Sequence, residues 1–353
     1  MPLNYFQRSA LALEPGRRLV AGYALVSIGI LMTISGATWD VTYHLLNKPE
    51  TFFSPPHAII YAGVATALGG AIIAVLASRS LRKIEWPARV VVVGVALLLA
   101  AGPGDFVWHS AFGLDGLLSP PHTILLSGML ASSIGAAAGI IRSSGRVQAA
   151  VLVIGMLPVW LAAAGAVHMF SLPFSESAFF NFNPEPRAGA LAATMGFPFV
   201  TAAVLVAVKT VAGGRRFGVM SALAGAFVVT GMLTSIVPNE ALAPTIPLYV
   251  GVLVPLVAAD YVMSRWMSPK AVIVVGAMAG LSFLMLYYPL ITHTYNETIS
   301  PERAVWASLT AIIYFDMAGT VFPLVAVPAA VMGIAGAIAG QKMATRAQLA
   351  LLK

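Results

Sequence analysis

From about residue 19 onward the chain is a succession of apolar runs long enough to cross a bilayer, separated by short stretches of proline, glycine and charge. Wound as a helix, about 20 apolar residues match the ~30 Å hydrocarbon core. Lipid offers no partner to backbone N–H and C=O groups, so such runs fold as helices that satisfy their own backbone. Spans are expected near 19–46, 57–78, 88–112, 122–141, 147–171, 188–211, 217–237, 243–264, 271–292 and 320–341. The fold class is therefore all-α, a polytopic helical membrane protein with about ten transmembrane helices. Residues 303–318 are apolar, but joined to the last span they would make a helix far longer than a bilayer is thick; a re-entrant or interfacial segment is expected there. Only 9% of the 353 residues are charged, against roughly a quarter in soluble domains, which excludes a soluble class.

The net charge of +7 invites a nucleic-acid reading, but its distribution argues against one. Alternate connections carry Arg8, Arg17 and Arg18; Arg79, Arg82, Lys83 and Arg89; Arg142 and Arg146; Lys209, Arg215 and Arg216; Arg265 and Lys270; and Lys342, Arg346 and Lys353. The other connections hold only Lys48, Arg187 and Arg303, together with most of the acids. Excess Lys and Arg marks the cytoplasmic side, which puts both termini there and makes the lipid bilayer, not nucleic acid, the partner. The stretch "MPLNYFQRSALALEPGRR" lacks the apolar core and cleavage site of a signal peptide, so the first span is expected to be its own uncleaved anchor in the cytoplasmic membrane. No cysteine is present, which excludes disulfides, zinc–thiolate sites and iron–sulfur clusters. In this topology all six histidines, His44, His57, His109, His122, His168 and His293, fall near the outer ends of their spans.

Four of them belong to a repeat. "WDVTYHLLNKPETFFSPPHAIIYAG" (39–63) returns without a gap as "GDFVWHSAFGLDGLLSPPHTILLSG" (104–128). Asp40, His44 and His57 map onto Asp105, His109 and His122, and the flanking Ser-Pro-Pro maps with them. Each unit (36–63 and 101–128) is one helical hairpin, so the first four spans, residues 1–142, read as a duplication, followed by six further spans over 147–353. Asp and His at i and i+4 share a helix face. Ser is a good N-cap and Pro is tolerated at the first helical positions, which puts the second His in the first turn of the returning helix, opposite the Asp/His face. Two imidazoles and a carboxylate on adjacent helices suit copper, non-haem iron or zinc. A carboxylate costs roughly 2.5–3.5 kcal/mol at the centre of a membrane helix, and less near its ends. A plain structural reading makes each Asp–His pair a hydrogen-bonded tie between helices; it explains the helix start but not the repeated histidine.

On these residues the sequence resembles the C subunit of the particulate methane and ammonia monooxygenases, the copper membrane monooxygenase family. That subunit carries an Asp-x3-His-x12-His copper site in a membrane hairpin, and Asp40, His44 and His57 match its spacing. The family has a second set, with Asn in place of the Asp and a loop differing by about one residue. Asp105, His109 and His122 stand roughly where that set is expected, with an acid instead of the amide and equal loops. The anionic ligand favours a more oxidised or harder metal. The resemblance covers about 36–128 and does not extend to the six later spans. It implies copper, oxidation of a small or apolar substrate, and partner subunits, one of them with a periplasmic copper-binding domain that has no counterpart in this chain.

Other polar residues stand outside the repeat. His168 and His293 read first as single satisfied interfacial histidines, and otherwise as wall residues of an access path. Asp316 is an acid in an apolar segment and a functional candidate by default, and Asp260 is expected to pair with local polar groups or water. Trp39, Tyr43 and Trp108 read as an aromatic belt. The loop 171–187 is long and aromatic enough to cover the outer mouth. Three functions remain in view. The first is a copper-dependent monooxygenase-like oxidoreductase, or a subunit of one, with iron or zinc as other metals and other membrane subunits or a second copy as partners. The second is a non-catalytic metal-handling or assembly subunit. The third is an ion or proton transporter, which is disfavoured by a repeat that is not inverted and by polarity confined to one side.

Overall fold

The computed structural model describes residues 15–45, 51–80, 85–113, 116–143, 148–171, 186–238, 240–266, 268–287 and 318–349. Ten α-helices run through them: α1 (Pro15–Leu45), α2 (Pro55–Ser80), α3 (Trp86–Phe112), α4 (Pro120–Ser143), α5 (Ala149–Ser171), α6 (Pro186–Val211), α7 (Val219–Ile236), α8 (Ile246–Arg265), α9 (Pro269–Leu281) and α10 (Ala318–Leu349). Nine of these are long and apolar enough to cross a membrane. The exception is α9, expected to run on to residue 292. It gives way after Leu281 to a 3-10 turn over Ser282–Leu284, where the Ser282 hydroxyl donates back to the Ala279 carbonyl at 2.6 Å. Residues 303–317 of the segment 303–318, most of the loop 171–187, His293 and Asp316 lie outside the described residues.

Between membrane helices the hydrophobic effect contributes little, so contact depends on how closely backbones can approach. In the α1–α2 hairpin a Cβ on Gly29 would lie 2.5 Å from the Gly63 carbonyl oxygen, and one on Gly70 would lie 2.7 Å from that of Gly22. In the α3–α4 hairpin a Cβ on Gly94 would lie 2.9 Å from the Gly128 oxygen, and one on Gly135 would lie 2.9 Å from that of Pro87. These contacts are the same pairs shifted by the offset that separates His57 from His122. The two hairpins thus share one packing register. The ring of Tyr23, buried in α1, fills the space over Gly139 of α4 and joins them.

The later helices form a second core around Trp160, Phe197, Phe227 and Tyr287. Helix α10 runs parallel to α6, with Gly336 against Phe199 and Gly340 against Ala203, and Gln348 Nε2 donates to the Thr210 and Val211 carbonyls at 3.2 and 3.4 Å. The start of α1 and the end of α10 therefore lie at one end of the bundle, and the turns after α1 and α3 lie at the other.

Lys209, counted above among the loop cations, is instead fully buried beside Asp260. Its ammonium donates to the Asp260 carboxylate, to Ser264 Oγ at 2.5 Å and to the Arg216 carbonyl at 2.8 Å. Asp260 Oδ2 accepts from the Gly218 and Ser221 amides at 2.9 and 3.0 Å and from Ser221 Oγ at 2.8 Å. Gly218 is the residue before α7, so a carboxylate from α8 caps that helix from a distance.

Two stability measurements in detergent follow. Gly94→Leu forces a side chain into a backbone contact and is expected to cost about 1–3 kcal/mol, whereas Gly69→Leu, with nothing within 4 Å, leaves the unfolding midpoint near wild type. Lys209→Met strands a buried carboxylate and is expected to cost about 3–5 kcal/mol. Adding Asp260→Asn recovers part of that loss, since no unpaired charge then remains; a wild-type midpoint for Lys209→Met would remove the ion pair from the account of the fold.

Candidate metal centre

The local chain explains how three side chains meet at the end of the second hairpin. Asp105 and His109 occupy successive turns on one face of α3. Helix α3 stops at Gly113, whose φ of 74° is open to glycine and strained for other residues. Gly116, at φ 97°, takes the chain onward to Ser119, and Pro120 and Pro121 open α4. His122 follows in that first turn. The serine cap expected here is made by backbone alone. The Ser54 and Ser119 carbonyls accept from Ala58 and Thr123 at 2.9 and 3.0 Å, but the buried hydroxyls have no partner among the described residues. The two prolines have no N–H at the first two helical positions, which leaves only the third amide, that of His57 or His122, and neither hydroxyl bonds it.

Three atoms converge. His109 Nε2 lies 3.4 Å from His122 Nε2, and Asp105 Oδ1 lies 3.5 Å from the first and 3.3 Å from the second. The opposite ring nitrogens are engaged: His109 Nδ1 donates to the Gly113 carbonyl at 3.1 Å, and His122 Nδ1 to that of Gly116 at 2.9 Å. A carbonyl only accepts, so in the neutral ring each Nδ1 carries the proton and each Nε2 presents a lone pair. Three acceptors therefore face one another, and Asp105 Oδ1 is buried without a hydrogen bond among the described residues. A proton on one imidazole relieves some of these contacts; a cation between the three atoms relieves all of them. Ligands about 2.0–2.1 Å from a tetrahedral zinc-like ion lie roughly 3.3–3.4 Å apart, which is the spacing found. Asp105, His109 and His122 can thus hold a metal ion with a coordination position left open. The two glycine carbonyls supply the orienting outer bonds that metal-binding histidines ordinarily have.

The first hairpin repeats part of this. His57 Nε2 lies 3.0 Å from Asp40 Oδ1, and His57 Nδ1 donates to the Thr51 carbonyl at 2.9 Å, the counterpart of Gly116. His44 lies in the last turn of α1, and its side chain is outside the described set.

A cavity of about 560 Å³ opens onto both clusters. Asp40 and His57 line it on one side and Asp105, His109 and His122 on another, with an apolar wall that includes Phe106, Leu125, Met129 and Phe227. Trp39, Tyr43 and Trp108 are not among its lining residues; beside Phe106, Tyr61 lines it, with its ring centre 6.1 Å from that of His57. His168 is not the satisfied interfacial residue first expected. It lines the same cavity, and its Nδ1 is buried without a partner among the described residues. Sequence reasoning passed over Gly113 and Gly116, although two glycines three apart before Ser-Pro-Pro are a readable turn signal. Tyr61 and Tyr287 carried no such signal.

No family model matches the chain, and neither does a curated protein or a solved structure.

Proposed function

We propose that this chain is an integral membrane metalloprotein of the monooxygenase type, or a subunit of one, that oxidises a small or apolar molecule held in the cavity. The observation carrying this reading is the convergence of three acceptor atoms, Asp105 Oδ1, His109 Nε2 and His122 Nε2, in the wall of a mostly apolar cavity. The motif resemblance to the copper membrane monooxygenases favours copper over iron or zinc and allows for further membrane subunits or a second copy. When bound, such an ion supplies redox and dioxygen chemistry that side chains lack. The chain's own part is to orient both imidazoles through Nδ1, to offset the ion's charge with Asp105, and to exclude water with apolar walls. Asp40, His44 and His57 form the second ligand set. The exposed cations Arg17, Arg18, Arg215 and Arg216 lie at the opposite end of the bundle from the clusters, which supports a site near the outer face of the cytoplasmic membrane.

Elemental analysis of the purified protein beside His109→Ala/His122→Ala tests the metal. About one copper per chain is expected to disappear in that variant, and a further loss is expected when His57→Ala is added. Absence of metal from the wild type, even after reconstitution, would overturn the reading. Stoichiometric metal without any oxidised product would instead favour a metal-handling subunit.

The chain has no cysteine, so single introduced thiols report sidedness. Phe53 is 77% exposed beside the clusters. Phe53→Cys is expected to react with a membrane-impermeant maleimide in intact cells, and Arg216→Cys only after permeabilisation. The reverse pattern would put the site on the cytoplasmic side.

A further inference from the structure

The cavity has a second polar wall that the ligand sets do not use. His168 of α5 and Tyr287, beyond α9, both line it. Tyr287 is only 7% exposed, and its hydroxyl has no hydrogen-bond partner among the described residues; the same holds for the buried Nδ1 of His168. Nearby, the Tyr249 hydroxyl is already paired with Ser235 Oγ at 3.2 Å. Buried polar groups in folded proteins are hydrogen-bonded almost without exception, and the exceptions call for an explanation such as a ligand or an ordered water.

Both rings are held in place. Tyr287 stacks on Phe197 with centres 4.0 Å apart and planes 10° apart, and His168 meets the same phenyl ring edge-on at 4.7 Å. Phe227 meets Tyr287 edge-on at 6.2 Å and stacks on Trp160 at 3.9 Å. A phenol and an imidazole fixed in this way form a prearranged hydrogen-bonding pair in the cavity wall, apart from the two Asp/His clusters. Neither has a carboxylate neighbour at the repeat spacing, so the pair is unlike the two clusters in its chemistry.

We infer that His168 and Tyr287 form a binding subsite for a lipophilic molecule that carries one hydroxyl or carbonyl oxygen, with its apolar body lying along the cavity towards Asp105, His109 and His122. The tyrosine donates to the ligand oxygen, and His168 Nδ1 accepts from a hydroxyl or donates to a carbonyl according to its tautomer. A volume of about 560 Å³ lies within the range of small-molecule sites, which are mostly apolar with a few placed polar groups. The subsite deepens the oxidase reading by naming the class of molecule the cavity takes, but its binding needs no metal.

The test is therefore made on chelator-treated full-length protein in detergent, with 2-octanone carrying ¹³C at its carbonyl as the probe. A saturable bound resonance, shifted from that of the micelle-dissolved ketone, is expected. Unlabelled 1-octanol should displace it at least roughly fivefold better than octane, the scale of one hydrogen bond. Tyr287→Phe keeps the stack on Phe197 and is expected to bring the two competitors near parity; His168→Leu is expected to narrow the gap. No saturable resonance in the wild type, equal competition by octanol and octane, or a gap untouched by both substitutions would each overturn the inference. Loss of metal or of oxidation leaves these outcomes unchanged, so the two readings fail separately.

Discussion

Everything at the candidate centre depends on how closely two backbones approach within each hairpin. Membrane helices are not driven together by water, and a glycine at the crossing lets the main chains touch where any side chain would hold them apart. Gly29 against Gly63 and Gly94 against Gly128 are such crossings, and each also sets the rotation and height of one helix on the other. Once that register exists, the end of the outgoing helix and the first turn of the returning helix stand at fixed positions. Asp105 and His109 then face His122 with little further adjustment. The same register in α1 and α2 brings His57 to Asp40.

Placement alone does not orient an imidazole, which can turn about its side-chain bonds and offer either nitrogen. In the second hairpin that freedom is removed by the carbonyls of Gly113 and Gly116, each hydrogen-bonded to one Nδ1. Both glycines have positive φ, so the chain reverses tightly enough for its own carbonyls to point back at the rings. The turn thus both reverses the chain and selects the nitrogen that faces the carboxylate. Thr51 plays the corresponding part for His57 without a glycine.

The legible parts of the molecule were those fixed by short-range geometry. Apolar runs of bilayer length gave the helices, and among the described residues only α9 stops earlier than expected, at Leu281. Asp105 and His109 share a face through a four-residue interval, and a helix start places His122 beside them; these are local facts that spacing can carry. Lys209 was misplaced because a lysine near a helix end reads as a solvated cation until its partner is known, and Asp260 lies on another helix. Ser54 and Ser119 have the right identity for a cap, but the prolines that follow them leave only the third helical N–H, and neither hydroxyl bonds it. His168 and Tyr287 reach one cavity from helices far apart in the chain, and no periodicity connects them. The register of the later helices, where Gly336 meets Phe199 across a long sequence interval, was likewise beyond reach.

Lys209 and Asp260 arrive in the membrane on different helices, with α7 between them. Buried in protein without its partner each charge is expensive, and the expense is removed for both only when α8 brings Asp260 to Lys209. Lys209 of α6, the amides of Gly218 and Ser221 at the start of α7, and Asp260 of α8 thus meet in one network, which ties the three helices together at that end of the bundle.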